Sequence, residues 1–360
     1  MSVIVPARNE ELCLGACLES LVAQLGVTFE IIAVDDGSSD RTREIARSFP
    51  KVRVIAPPPL PAGWSGKNNA LVAGAGAARG QWMLFTDADT VHRPKSLAKA
   101  RAEARERGAA LLSYSPEQEV HGFWEKAIMP VIFAELASAY RPSDVSDPAS
   151  PAAAANGQYL LVERKAYDAV GGHAAIASCL LEDVALAGRV KASGRKVFFR
   201  YGSDAVRTRM YRSFAQLREG WTKNLALLFS SPTRLAVLRL AEFLLIMGST
   251  AAATYFGFQG RSLAAAGAAI ACAILYASFL MRIQRAHFRW DANILALAGL
   301  PMFSYLLLRS HRAGRRGAVV WKGRSYDPGV VQSPARAAGR AVDHARIGLG
   351  PPGAWRGYEP

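Results

Sequence analysis

Residues 263–281, from Leu263 to Met281, run for 19 positions without a charged side chain. A stretch of that length satisfies its backbone polar groups only as a helix. At about 1.5 Å of rise per residue it matches the thickness of a bilayer's hydrocarbon core. Two weaker stretches flank it. Residues 243–258 are 16 uncharged positions that reach spanning length if extended back through Glu242 and Arg239, and residues 292–308 are 17 with Pro301 inside. A buried core helix is the competing reading for each of them. The net charge of +15 sits around these stretches: residues 1–160 sum to −2, residues 161–234 to +7 and residues 235–360 to +10. Basic excess beside apolar runs is expected next to anionic lipid head groups, and this distribution argues against a nucleic-acid partner.

Membrane topology follows from the same charges. The loop carrying Arg282, Arg285 and Arg289 and the segment carrying Arg309, Arg312, Arg315 and Arg316 both belong on the cytosolic side. Three crossings from a cytosolic N-terminal domain would put the second group outside. The proline-interrupted third segment is therefore expected to be re-entrant or interfacial. We expect a catalytic domain over residues 1–225, two or three transmembrane or interfacial helices over 226–308, and a basic tail over 309–360 that becomes mobile from Ser325. No secretory signal opens the chain, since Met1 leads directly into strand-like residues. The four cysteines, Cys13, Cys17, Cys179 and Cys272, form no CxxC pair and read as buried thiols of a reducing compartment.

The first 115 residues alternate short β-rich runs (3–5, 30–34, 52–55, 82–85, 110–114) with helical stretches (10–25, 41–47, 68–79, 95–107). Such alternation implies βαβ units and a mostly parallel sheet, with ligands at the carboxyl ends of its strands. Those ends are polar. Pro6, Asn9 and Glu10 follow the first strand, Asp35 and Asp36 the second, and Asp87 and Asp89 the fourth. Two carboxylates one residue apart can share a hard divalent cation such as magnesium or manganese, although a solvated turn reads the same in isolation. Asp35 and Asp36 suit a ribose hydroxyl or a base N–H, or else an Asx-type turn, with Asp40 capping the next helix. Gly63-Trp64-Ser65-Gly66-Lys67-Asn68-Asn69 opens a small-residue helix whose N-terminus, with Lys67, suits phosphate; its spacing is not that of a nucleotide hydrolase. Asp183, with Glu182 before it, suits a general base or an N-cap for a helix over 184–192. Trp221 suits sugar stacking or the membrane interface belt. Residues 123–140 have an apolar face broken by Pro130 and suit a membrane surface.

In order, VIVPARNE, VDDGSSDRT, GWSGKNNAL, FTDADT, NGQYLLVERKAYDAVGG, LLEDVALA and QLREGW resemble the family 2 glycosyltransferases with the GT-A fold. The GWSGK stretch, LLEDVALA and the later WKGRSY are most similar to the bacterial hopene-associated and carotenoid-acid glycosyltransferases. The resemblance implies an α/β fold with a mostly parallel central sheet followed by membrane helices at the bacterial cytoplasmic membrane. It also implies inverting transfer from a nucleotide-diphosphate sugar to an isoprenoid or hopanoid-like lipid. Asp35 and Asp36 would contact base and ribose, and Pro6, Asn9 and Glu10 would line the donor site. Asp87 and Asp89 would hold the metal and diphosphate, with Lys67 nearby. Asp183 would be the base, with Glu182 and Trp221 on the acceptor side. Gln216 and Trp221 are spaced differently from the Q/RxxRW of processive polymer synthases, which disfavours a long-chain product. A short surface polysaccharide synthase and a non-catalytic scaffold are the alternatives.

Overall fold

The computed structural model describes residues 1–316, 319–321 and 324–326. The chain begins with β1 (Ser2–Ala7), α1 (Leu14–Val22), β2 (Glu30–Asp35), α2 (Thr42–Arg47), β3 (Val52–Ile55), α3 (Gly66–Ala77), β4 (Trp82–Phe85), β5 (Thr90–His92) and α4 (Ser96–Arg107). It continues through β6 (Leu111–Ser115), β7 (Glu117–Gln118), α5 (Phe123–Ala139), α6 (Pro142–Ser146), β8 (Leu160–Glu163), α7 (Arg164–Ala169), α8 (Glu182–Ala192), β9 (Val197–Tyr201), β10 (Val206–Thr208) and α9 (Phe214–Asn224). Three long helices follow, α10 (Pro232–Phe258), α11 (Ser262–Ile283) and α12 (Trp290–Arg316), then β11 (Val319–Trp321) and β12 (Arg324–Tyr326). The tail beyond Tyr326, expected to be mobile, lies outside the described residues.

The central sheet runs β3-β2-β1-β4-β8-β6-β9, parallel except at β8, which is antiparallel to both neighbours. Its middle strands are apolar through residues 3–5 of β1, 82–85 of β4 and 160–162 of β8 because both faces are covered there. Successive residues of β1 alternate between two cores. Ile4 joins Ile32, Met83 and Leu71 on one face, while Val3 and Val5 join Leu18, Leu84 and Leu97 on the other. The carboxyl ends of β1, β2 and β4 consequently lie side by side, with Ala7 registered on Asp35 and Ile4 on Phe85.

A third core joins α5, α9 and the long helices, with Ile128, Val131, Ile132, Leu217, Trp221, Phe279 and Phe303 buried in it. This places α5 differently from the sequence expectation. Its middle is buried between α12 and the cavity described below, and its exposed residues are Phe123 and Trp124 at its start and Ala139 at its end. Pro130 stays within an unbroken helix. Likewise Pro301 does not break α12, so the third apolar segment is not re-entrant. Three helices are long and apolar enough to cross a membrane. Where α5, α10 and α11 meet, Glu135 and Glu242 are bridged by Arg239 and Arg282 at 2.7–3.5 Å, a neutral four-membered ion cluster.

Candidate active site

One cavity of about 660 Å³ opens at the carboxyl ends of β1, β2 and β4. Pro6, Asn9, Glu10, Asp36, Lys67, Asp87, Asp89, Glu182, Asp183 and Trp221 all line it, although they come from six separate stretches of chain. Asp35 does not. It is 3% exposed; its carboxylate accepts from the Ser38 amide at 3.2 Å and pairs with Arg43 Nε at 2.8 Å. The residue facing the cavity after β2 is Asp36, because side chains alternate along a strand. Asp40 accepts from the Thr42 amide at 3.0 Å and the Glu11 amide at 3.1 Å, which ties the start of α2 to the loop after β1. In that loop Asn9 takes a left-handed backbone (φ 52°), and its side-chain oxygen accepts from the Ser39 amide at 2.9 Å. Asn tolerates this conformation better than most residues, and the result is a preformed rim.

Ser65 caps α3 by accepting from the Asn68 amide at 3.0 Å. Asn68 and Asn69 are buried and serve the fold, not phosphate. Asn68 Nδ2 donates to the carbonyls of Ile176, Ala177 and Cys179 at 2.9–3.0 Å, and Asn69 Nδ2 to Pro58 at 2.8 Å. The Asn68 contacts fix the segment that leads into α8. Lys67, immediately before Asn68, projects into the cavity, and its Nζ lies 2.7 Å from both Asp87 Oδ1 and Glu182 Oε1. Burial disfavours its charge, but the two carboxylates outweigh burial and raise its pKa well above the ordinary value. Despite desolvation, Lys67 and then Lys223 hold Glu182 below the usual carboxylate range.

Helix α8 starts at Glu182, so Asp183 is inside its first turn and not the N-cap. Asp183 Oδ2 accepts from the Gly157 amide and Oδ1 from the Val184 amide, both at 2.8 Å. Burial, then the neighbouring Glu182 charge, push this carboxyl up to about 6. A carboxylate poised there can take a proton near neutral pH. Lys223 also lines the cavity, and burial lowers its pKa to about 8.

Gly157 was not foreseen from sequence. A Cβ there would lie 3.3 Å from Lys67 Nζ, 3.4 Å from Glu182 Oε1 and 3.5 Å from Asp183 Oδ2, so the three charged groups converge on the space a side chain would fill. Its neighbour Gln158 is 4% exposed and donates through Nε2 to Asp89 Oδ2 at 3.4 Å and Thr208 Oγ1 at 3.2 Å. The only signal of either was the Asn-Gly-Gln triplet ahead of β8. Trp221 is 5% exposed within the third core, packed edge-on to Phe133 and Tyr211, so it sits against the cavity and not in an interface belt. Its indole N–H has no partner among the described residues. The side of the cavity nearest the long helices is apolar, lined by Phe133, Leu136, Ala137, Tyr140 and Leu228.

Among the described residues no three His, Cys, Asp or Glu side chains gather as a metal-ligand group. Asp87 and Asp89 nevertheless fit a divalent cation that takes its remaining ligands from a diphosphate. Both offer hard oxygen donors to one cavity, and the Lys67 ammonium already sits against Asp87 as a cation does.

Residues 2–160 match the family model described as Glycosyl transferase family 2. The 4,4'-diaponeurosporenoate glycosyltransferase of Staphylococcus aureus (strain USA300) is 27% identical over 347 residues, covering 91% of this chain and 88% of that protein. The mannosyltransferase PcManGT from Pyrobaculum calidifontis, solved with GDP-Man and Mn2+, has a TM-score of 0.49 at 17% identity, covering 87% of this chain and 86% of that one. S. aureus TarS has a TM-score of 0.42 at 18% identity, covering 61% of this chain but 38% of that chain, so this chain matches under half of that one's length. The match to glycosyl transferase family 2 is carried by residues 2–160, and the chain is a glycosyltransferase with a GT-A-like α/β fold.

Proposed function

We propose that this glycosyltransferase moves a sugar from a nucleotide-diphosphate donor to a lipid with a long apolar body and one polar end, with inversion at the sugar carbon. The observation that carries the reading is the two-sided cavity: carboxylates and Lys67 at the strand ends, and an apolar wall from α5 and Leu228 beside the membrane-length helices. Asp36 would bind the nucleoside, with Asn9 and Glu10 on the rim. Asp87 and Asp89 would hold a divalent cation, which neutralises the charge developing on the leaving diphosphate. Lys67 would add a fixed positive charge there.

Asp183 would accept the proton of an attacking hydroxyl while the new C1–O bond forms and the C1–O(phosphate) bond breaks. The S. aureus relative is named for a carboxylate acceptor. An acceptor of that class arrives deprotonated and needs no base; Lys223 would then face its charge. Both acceptors are lipids, and the α5 wall suits either.

The test is incubation of membranes containing the full chain with a labelled nucleotide-diphosphate hexose and manganese, followed by lipid extraction. The expected product is a lipid carrying one hexose mass, and Asp89→Ala should remove both transfer and donor hydrolysis while the protein stays folded. A water-soluble polymeric product would favour a short polysaccharide synthase instead, and full activity in a chelator would remove the metal from the proposal.

A further inference from the structure

We infer that α12 lies along the membrane surface on the catalytic side, its exposed stripe facing the lipid head-group layer, so that only α10 and α11 cross. The inference rests on reading α10 and α11 as membrane helices. They form an antiparallel hairpin, with Glu242 paired to Arg282 at 2.7 Å and Thr250 Oγ1 3.2 Å from Cys272 Sγ. The hairpin leaves the catalytic domain and returns to it, so α12 starts on the side where α10 started. Only 11% and 6% of the apolar windows of α10 and α11 are buried within the protein, against 44% for α12. The third helix is the one of the three that packs substantially against the protein.

The attachments along α12 decide the geometry. Asp291 pairs with Lys126 of α5 at 2.7 Å, and Gly299 lies so close to the Ala127 carbonyl that no Cβ would fit. Further on, Ser304 Oγ donates to the Ala236 carbonyl at 2.9 Å, Arg309 Nε to Thr222 Oγ1 at 3.2 Å, and Ser310 Oγ accepts from the Ala226 amide at 2.9 Å. From Asp291 to Ser310 a helix rises about 28 Å, close to the thickness of the hydrocarbon core. Both ends of that rise are held by one body. Trp124, two residues before Lys126, packs on Phe214 at the start of α9, and Thr222 is near the end of α9. If α12 crossed, α5 and α9 would cross with it. Glu219, Lys223 and the polar cavity lining would then be carried into hydrocarbon, where charged and polar groups are costly.

The exposed stripe suits the surface position. Trp290, Ile294 and Tyr305 are 72%, 51% and 43% exposed, and the same stripe ends in exposed Arg309, Arg312 and Arg315. Aromatic and apolar residues followed by arginines on one helical face are the pattern of a helix seated in the interface of an anionic leaflet. The position also removes the conflict of charge and topology, since these arginines and the Arg285–Arg289 loop then share the catalytic side. The apolar wall contributed by α5 is left next to that surface, within reach of a lipid from the leaflet.

The test uses the full chain with Cys13 and Cys272 replaced by alanine and a single new cysteine, Arg261→Cys between α10 and α11 or Gly314→Cys near the end of α12. A membrane-impermeant maleimide is applied to intact cells and to permeabilised cells. Arg261→Cys should label in intact cells, and Gly314→Cys only after permeabilisation. Labelling of both in intact cells would overturn the surface position of α12 and leave the membrane hairpin standing. An Arg261→Cys that labels only after permeabilisation would overturn the hairpin itself, and the inference with it.

Discussion

Replacing Lys67 with methionine removes one charge from the centre of the site at nearly constant volume, and the pH dependence of the reaction should report it. Lys67 Nζ touches Asp87 and Glu182 at 2.7 Å, and it shares with Asp183 Oδ2 the small space beside Gly157. Its attraction lowers the Asp183 carboxyl, which burial and Glu182 otherwise raise, the balance falling at about 6. Both groups lie within 3.5 Å of the Gly157 Cβ position, so they are at most about 7 Å apart, and at an effective dielectric of about 20 Coulomb's law gives at least roughly 2 kcal/mol, or more than about one pH unit. Lys67 is one-third exposed, so solvent screening takes the effect to about one unit. The sign is fixed: without the ammonium the Glu182–Asp183 pair binds its proton more tightly, so the acid limb of the rate moves upward, from about pH 6 towards about pH 7. Donor hydrolysis is the assay, since water also needs a base, measured at saturating donor and manganese. The rate itself should fall about 10²–10³-fold from the lost neutralisation of diphosphate. An acid limb that stays at about 6, or moves down, would refute the placement of Asp183 as the base that Lys67 tunes.

Gly157→Ala puts a methyl group among Lys67, Glu182 and Asp183; transfer should fall about 10- to 100-fold while donor affinity by calorimetry changes little, and a normal rate would show that the space is not used by the reacting groups. Asp183→Asn should cost about 10²–10⁴-fold with a hydroxyl-bearing lipid and far less with a carboxylate lipid, which competition between the two acceptors measures directly. Arg239→Leu leaves Glu135, 6% exposed on its side chain, with Arg282 as its remaining cation; about 1–3 kcal/mol of stability should be lost, read as a lower unfolding midpoint in detergent, and an unchanged midpoint would show the cluster to be neutral for folding.

The strands were legible because their signal is local. A strand covered on both faces is an unbroken apolar run, as β4 is at the expected residues 82–85, and the edge strand β3 still shows as a short β-rich run at the expected 52–55 despite exposed Arg53. The membrane-length helices were legible for the same reason, since length and lack of charge are properties of a single segment. The alternation of strand and helix also implied which chain ends carry the polar residues. What no local pattern contained was direction. Asp35 and Asp36 are adjacent and chemically identical, yet pairing with Arg43 turns one into the fold and strand geometry turns the other to the cavity. Asn68 looks like a phosphate ligand until the carbonyls of residues 176–179, over a hundred positions away, are brought to its amide. Gly157 matters only because three charged groups from distant stretches of chain meet where its side chain would be, and the attachments of α12 to α5 and α9 join segments more than eighty positions apart. Composition and periodicity constrain what a segment can become, whereas the partner of a side chain is set by contacts between residues far apart in sequence, and those exist only once the chain has folded.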